Sequence, residues 1–298
     1  MKKWFLAGVG LVSILAGCSE AGNEVEGFSH IHGLEYAHNE DAFYIATHHG
    51  LIKHTQGKWI NVNSEKEQHD FMGFTIIDED TMLSSGHPSH ASDLEDPLGL
   101  MKSTDSGETW EPISLYTEVD FHLLHANKGD TNQIYAIDAY HSHFYHSEDG
   151  GYTWVQVETE GLPEPIGQTY SLTSHPQFPS HVLAGTEEGV YLSLDSGRTW
   201  ESMESESTAT ALESLNGETE ELIGYFVGEL EGLYYSTDFG QTWESLDFTL
   251  ENDMISYISQ NPDQEKEIIL GSMQEAIYHT NDLGDSWSKL AENGNINQ

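Results

Sequence analysis

Positive charge is what this sequence has least of. Its 298 residues hold 10 Lys and Arg against 51 Asp and Glu, a formal net charge of −41 at pH 7. Arg198 is the single arginine. A field of that sign repels nucleic acid and anionic lipid headgroups and draws in cations, so nucleic acid is excluded as a partner. Thiols are as scarce. Cys18 stands alone, and the rest of the chain has neither a disulfide nor a thiolate metal ligand. A Gly-rich phosphate loop and the G-x-S-x-G nucleophile elbow are both missing. The one long apolar run, Trp4 to Leu15, falls short of the ~20 residues a spanning helix needs.

That run has a different use. Lys2 and Lys3 precede it, and small residues follow at Ala16-Gly17 before Cys18. A charged start, a short apolar stretch and a small-residue cleavage site read as a secretory signal over residues 1–17. The LAGC phrase, Leu15 to Cys18, resembles a bacterial lipobox. The resemblance implies cleavage before Cys18, lipid on its sulfur, and anchorage to a membrane outside the cytoplasm. Residues 18–27 are short and polar and are expected to act as the lipidated tether.

What the chain has in plenty is one phrase. STDSGETW at Ser103 returns as SEDGGYTW at Ser147, SLDSGRTW at Ser193, STDFGQTW at Ser236 and TNDLGDSW at Thr280. Its aspartates, Asp105, Asp149, Asp195, Asp238 and Asp282, recur every ~44 residues, the length of one four-stranded propeller blade. The Asp can bond backbone N–H groups two residues on and set a turn, the Gly takes a backbone position where a side chain would clash, and the Trp packs. The pattern S-x-D-x-G-x-T-W resembles the Asp-box, or BNR repeat, of sialidases, sortilin-type receptors and bacterial β-propeller lipoproteins. That resemblance implies a box between the third and fourth strands of each blade, with a structural role only.

Three short β-like runs precede each box, and the run after its Trp supplies a fourth strand. Residues 27–62 repeat the order with a worn box, HTQGKW, that keeps Gly57 and Trp59 and has no Asp. The expectation is an all-β, six-bladed β-propeller of four-stranded antiparallel blades, one domain over 28–298. The first strand of each blade lines the channel. The loops into that strand, and from second to third strand, share one rim, and the boxes lie on the other.

The 17 histidines are uneven on this map. His30, His32, His48, His49, His69, His87, His90, His122, His141 and His143 fall at or near the first rim, all in the first half of the chain. The matching loops of blades four to six carry Gln168, Glu187, Glu188, Glu229, Glu231, Gln274 and Glu275 and no histidine. Neutral imidazole is the commonest ligand for zinc, copper, nickel and iron. On a strand, His30 and His32 face one way, roughly 7 Å apart, and can converge with a third group from another blade. The expected site is a divalent transition metal, copper or zinc, on His30, His32, His48, His49, His87, His90, His122, His141 and His143, with His30, His32, His87 and His143 its leading members. The acidic field should raise their pKa values, so that protons compete with the metal. His38, His54, His125, His146, His175, His181 and His279 are placed on the far rim or near the boxes, as ordinary surface or packing residues.

HIHGL near the start of the mature chain resembles the opening of bacterial lipoproteins of this repeat type, described as sortilin-like or glycosyl-hydrolase-like. The resemblance brings two further readings. Sialidases of the type hold a substrate carboxylate with three arginines, and Arg198 alone, inside a box turn, excludes that activity. Other glycoside hydrolysis needs two carboxylates, which Asp70, Asp120 or Asp138 could form with Glu187 or Glu229 beside Tyr140 and Tyr170. Several such propellers instead bind another exported protein through the rim; an exposed aromatic patch would mark that use. Met72, Met82, Met101, Met203, Met254 and Met273 read as core fillers first and soft copper ligands second.

Overall fold

Strand propensity and the repeat period lead to six small sheets. The computed structural model describes residues 22–203, 207–217 and 220–297. The expected secretory signal and Cys18 lie outside these. Blade one is β1 (Ile31–Tyr36), β2 (Ala42–Thr47), β3 (Gly50–Thr55) and β4 (Lys58–Asn61). Blade two follows with β5 (Asp70–Ile76), β6 (Met82–His87), β7 (Leu100–Ser103) and β8 (Glu111–Ser114). In blade three these are β9 (Phe121–Ala126), β10 (Ile134–Asp138), β11 (His143–Ser147) and β12 (Val155–Val157). Blade four has β13 (Ser171–Ser174), β14 (Val182–Thr186), β15 (Gly189–Ser193) and β16 (Glu201–Ser202). Blade five has β17 (Thr208–Ser214), β18 (Leu222–Val227), β19 (Gly232–Ser236) and β20 (Glu244–Ser245). Blade six adds a strand to the pattern: β21 (Ile255–Gln260), β22 (Ile268–Ser272), β23 (Ile277–Thr280), β24 (Ser288–Glu292) and β25 (Asn295–Ile296). Every sheet is ordered by sequence with antiparallel neighbours, and the described residues contain one helical element, a single 3-10 turn at Ile166–Gln168.

The ring closes at both chain ends. Gly27 bridges Asn295, the Phe28 N–H donates to Gly294 O (2.8 Å), and Glu24 bridges Ile60. The last residues of the expected tether are therefore docked on blades one and six, because β25 and β4 leave open edges there that backbone groups must satisfy.

Each box works as a hydrogen-bonded knot. Ser103 Oγ donates to Asp105 Oδ1 (2.8 Å) and accepts the Gly107 N–H (2.9 Å). Asp105 reaches four residues on rather than two, accepting the Thr109 N–H (2.9 Å) and hydroxyl (2.6 Å). The other four boxes repeat this set. Ser106 and Gly107 both take left-handed backbone (φ 57° and 85°), and a Cβ on Gly107 would sit 2.4 Å from Leu51 of the preceding blade. The box glycine is thus both a turn residue and the point where neighbouring blades touch. Between the blades lie the aromatic cores, such as Trp110 on Phe71 (4.7 Å) and Trp154 on Phe121 (5.0 Å).

One irregularity aims the site. In β1, β5, β9, β17 and β21 the pairing with the second strand slips near the strand start. The surplus residue is His32 in β1 and His122 in β9. A bulge turns a side chain out of the pleat's alternation. Here it sends both imidazoles to the channel mouth, where they line one cavity with Tyr170 and Tyr257.

Candidate metal site on the first rim

Four rim residues of blades one and two meet. His32 Nε2 lies 3.4 Å from His48 Nε2, and His48 Nδ1 lies 2.5 Å from Asp70 Oδ1. One donor atom from each of the three falls within 4.8 Å of the others. His30 stands over them, its ring 4.5 Å from His48 and 6.3 Å from His32, nearly parallel to the latter. His30 reaches this position from a left-handed backbone (φ 54°), with its N–H held by Glu275 Oε1 of blade six (2.8 Å). The parts sit at strand ends: His30 precedes β1, His48 follows Thr47 at the end of β2, and Asp70 opens β5.

His32 is half-buried, and its pKa falls from the ordinary value to about 4. Burial is the main cause, and the neighbouring His48 adds to it; Asp70 pulls the other way and loses. The expected upward shift from the acidic field is therefore reversed at His32. Loss of solvation is local, whereas most of the 51 carboxylates are distant and screened. His87 does move up. Burial opposes, but its bond from Nδ1 to Asp96 (2.7 Å) and the nearby Asp120 outweigh it.

The remaining candidates divide. His87 and His122 both approach Asp120 Oδ2, at 3.5 and 2.7 Å. Asp120 is wholly buried, and its Oδ1 has no partner. His141 Nδ1 lies 2.6 Å from Asp138 Oδ2, with the His143 ring stacked on His141 at 5.7 Å. His49 and His90 are exposed and belong to none of these sets. His69 is buried in the blade, accepting the Ser89 N–H at Nδ1 (3.0 Å). The four leading members thus lie in three separate sets, because blade geometry groups residues by loop and not by spacing in the sequence. His125 corrects the far-rim placement: it lines the channel on β9, bonded to Ser174 Oγ (2.9 Å), and burial takes its pKa to about 3. The methionines mostly fill cores; Met273 is exposed.

The channel carries two acids outside the expected site residues. Glu35 on β1 and Glu213 on β17 line it, with His125 between the two ends. Glu213 holds Lys128 (2.5 Å), and Glu35 accepts the Ile76 N–H (2.7 Å). Burial pushes the Glu35 carboxyl up to about 8. A single acid inside a first strand with no other carboxylate, as in HIHGLEY and ATALESL, was the available signal. The same rim also exposes Tyr140, Tyr170, Val227 and Met273, all at strand ends or loops on this face.

Comparisons with known proteins agree with the fold. The family model described as Sortilin-Vps10 (sortilin, neurotensin receptor 3) matches residues 99–225 and 188–297. No curated protein matches the sequence. Among solved structures, the chain is similar to the Niastella koreensis GH74 enzyme (14% identity, TM-score 0.63) and the GH74 xyloglucanase of Xanthomonas campestris (13%, 0.59). Each match covers 91% of this chain and 46% of the enzyme, so the chain spans less than half the length of those relatives. It is also similar to YCF48 bound to D1 peptide (15%, TM-score 0.54), covering 90% of this chain and 84% of that one.

Proposed function

The chain belongs to the Sortilin-Vps10 family, and from that premise we propose that it is a lipid-anchored binding propeller outside the cytoplasm, with a divalent transition-metal site at His32 and His48. The observation that carries the reading is the convergence of His32, His48 and Asp70, with the two Nε2 atoms 3.4 Å apart. Two nitrogens each about 2.0–2.1 Å from a tetrahedral zinc stand about 3.3–3.4 Å apart. A direct imidazole-to-imidazole hydrogen bond also accounts for that distance, so the support comes from the surroundings. His48 gives its Nδ1 to the Asp70 carboxylate, the arrangement that orients a ligating histidine and makes its other nitrogen more basic. His32 is neutral at pH 7, so it need not shed a charge to ligate a metal. His30 is the third imidazole in reach. The role of Asp70 is to position His48. The chain's net charge raises the local cation concentration. Copper and zinc both suit a donor set rich in imidazole. Lipid on Cys18 would hold this rim at a membrane surface.

The test uses the soluble chain from Ser19, stripped with chelator and titrated with Cu(II) and Zn(II) at pH 7. His32→Ala/His48→Ala should weaken tight binding at least ~100-fold, and Asp70→Asn by ~10–100-fold with the fold intact. Unchanged affinity in both variants would sink the reading.

A second reading rests on the exposed Tyr140, Tyr170, Val227 and Met273 on the same face. They fit a rim that docks a segment of another exported protein; the similar YCF48 structure is described as bound to D1 peptide. Glycoside hydrolysis stays a lesser alternative. Its support is the likeness to the GH74 enzymes, which reaches the fold alone.

A further inference from the structure

The hairpin end between β10 and β11 carries three donors in six residues. Asp138 and His143 face each other across the ladder, and Ser142 turns the chain with φ 55°. That tight turn brings the His141 and His143 rings into a stack, 16° from parallel. Asp138 is wholly buried. Its Oδ1 accepts the N–H groups of Asp120 and Tyr140, both at 3.1 Å, which fixes the carboxylate. Its Oδ2 is left to face His141 Nδ1 at 2.6 Å. One donor atom from each of Asp138, His141 and His143 lies within 4.8 Å of the other two.

Blade construction does not require this set. The second strands of blades four, five and six end on Thr186, Val227 and Ser272, and no histidine follows them in the loop. Asp138 Oδ1 accepts the N–H two residues on, as the Thr47 and Thr186 hydroxyls do at the ends of β2 and β14; the second carboxylate oxygen, turned to His141, has no counterpart in those blades. His141 is exposed and His143 half-buried, so the set opens to solvent and its imidazoles are free to adjust.

We propose that Asp138, His141 and His143 form a second divalent transition-metal site, separate from the pair at His32 and His48. Two imidazoles and one carboxylate make a borderline donor set that takes Zn(II), Cu(II) or Ni(II) in preference to Ca(II) or Mg(II). The site shares no residue with the first and does not depend on it. With three protein ligands and an open side, it keeps a position for water or for a donor from a bound partner.

The experiment counts metal. Zn(II) and Cu(II) are titrated by calorimetry and equilibrium dialysis into four proteins: the unaltered chain, His141→Ala/His143→Ala, His32→Ala/His48→Ala, and the combination of all four changes. Two equivalents in the unaltered chain, one in each double variant and none in the combination is the expected result. If the first site alone fails, the unaltered chain and the His32→Ala/His48→Ala variant each bind one equivalent, and His141→Ala/His143→Ala binds none. The single change His141→Ala, at an exposed position, should weaken the second site ~10-fold without lowering the melting temperature. The proposal is overturned when His141→Ala/His143→Ala binds as many equivalents as the unaltered chain with the same affinity.

Discussion

Glu35 shows what one residue can do inside this fold. Its carboxyl lines a narrow channel, loses most of its water and stays protonated up to about pH 8. In the unfolded chain the same group ionises near pH 4.5. A raised folded pKa contributes stability in full below the unfolded value and loses it as pH rises through the folded value. Glu35→Gln cannot ionise and still accepts the Ile76 N–H. Its melting temperature relative to the unaltered protein should therefore climb steadily between pH 5 and pH 8. Melts across that range check this, and a difference that stays flat with pH would refute it. A lone Glu in the first strand was visible in the sequence; its desolvation was not, since that depends on five other strands closing around it.

Elements differ in how strictly they hold their glycines. Gly197, in the box of blade four, has φ 86°, and a Cβ there would lie 2.4 Å from the Phe144 ring. Gly57, in the worn box of blade one, has a similar φ of 74°, but nothing lies within 4 Å of its Cβ position. Gly57→Ala should cost only the backbone strain, about 1–2 kcal/mol. Gly197→Ala adds overpacking against a wholly buried ring and should cost about 2–5 kcal/mol in denaturant unfolding. Equal costs would mean that the box glycine serves the turn alone. The box phrase was legible because a turn is local: Ser, Asp, Gly and Thr bond within seven residues of one another. The bulges at His32 and His122 were not, because a bulge exists only relative to the partner strand.

At the scale of the whole molecule, charge is the dominant fact. A net charge of −41 on a 298-residue chain works against compaction. Salt shortens the screening length from about 30 Å at 0.01 M to about 3 Å at 1 M. The melting temperature at pH 7 should rise across that interval of NaCl, and a fall would show that surface ion pairs such as Lys58–Glu24 outweigh the repulsion. Acid has its own limit. Hydrogen bonds from the Ser286 hydroxyl, the Thr280 hydroxyl and the Ser286 N–H hold Asp282 at about 2, and the other four box aspartates are lowered too. A depressed folded pKa contributes stability that is present above the unfolded pKa, near 4, and is lost as pH falls toward 2. The melting temperature should accordingly fall progressively as pH drops from about 4 toward about 2, which melts across that range check.

Sequence alone determined the number of blades, the order of the four strands common to them and the rim on which most of the candidate histidines fall. Each follows from a period or from local turn chemistry, which need no knowledge of the rest of the chain. Tertiary structure decided which of those histidines meet. His32 and His48 are 16 residues apart and reach each other through a bulge, while Asp70 joins them from the next blade. Closure of the ring decided the rest. It put Glu35 and Glu213 around one channel from blades one and five, and it docked the residues before β1 onto β25. Periodicity records what each blade must repeat. Contacts between blades depend on twist and packing accumulated over the whole ring, and no short stretch of sequence carries that sum.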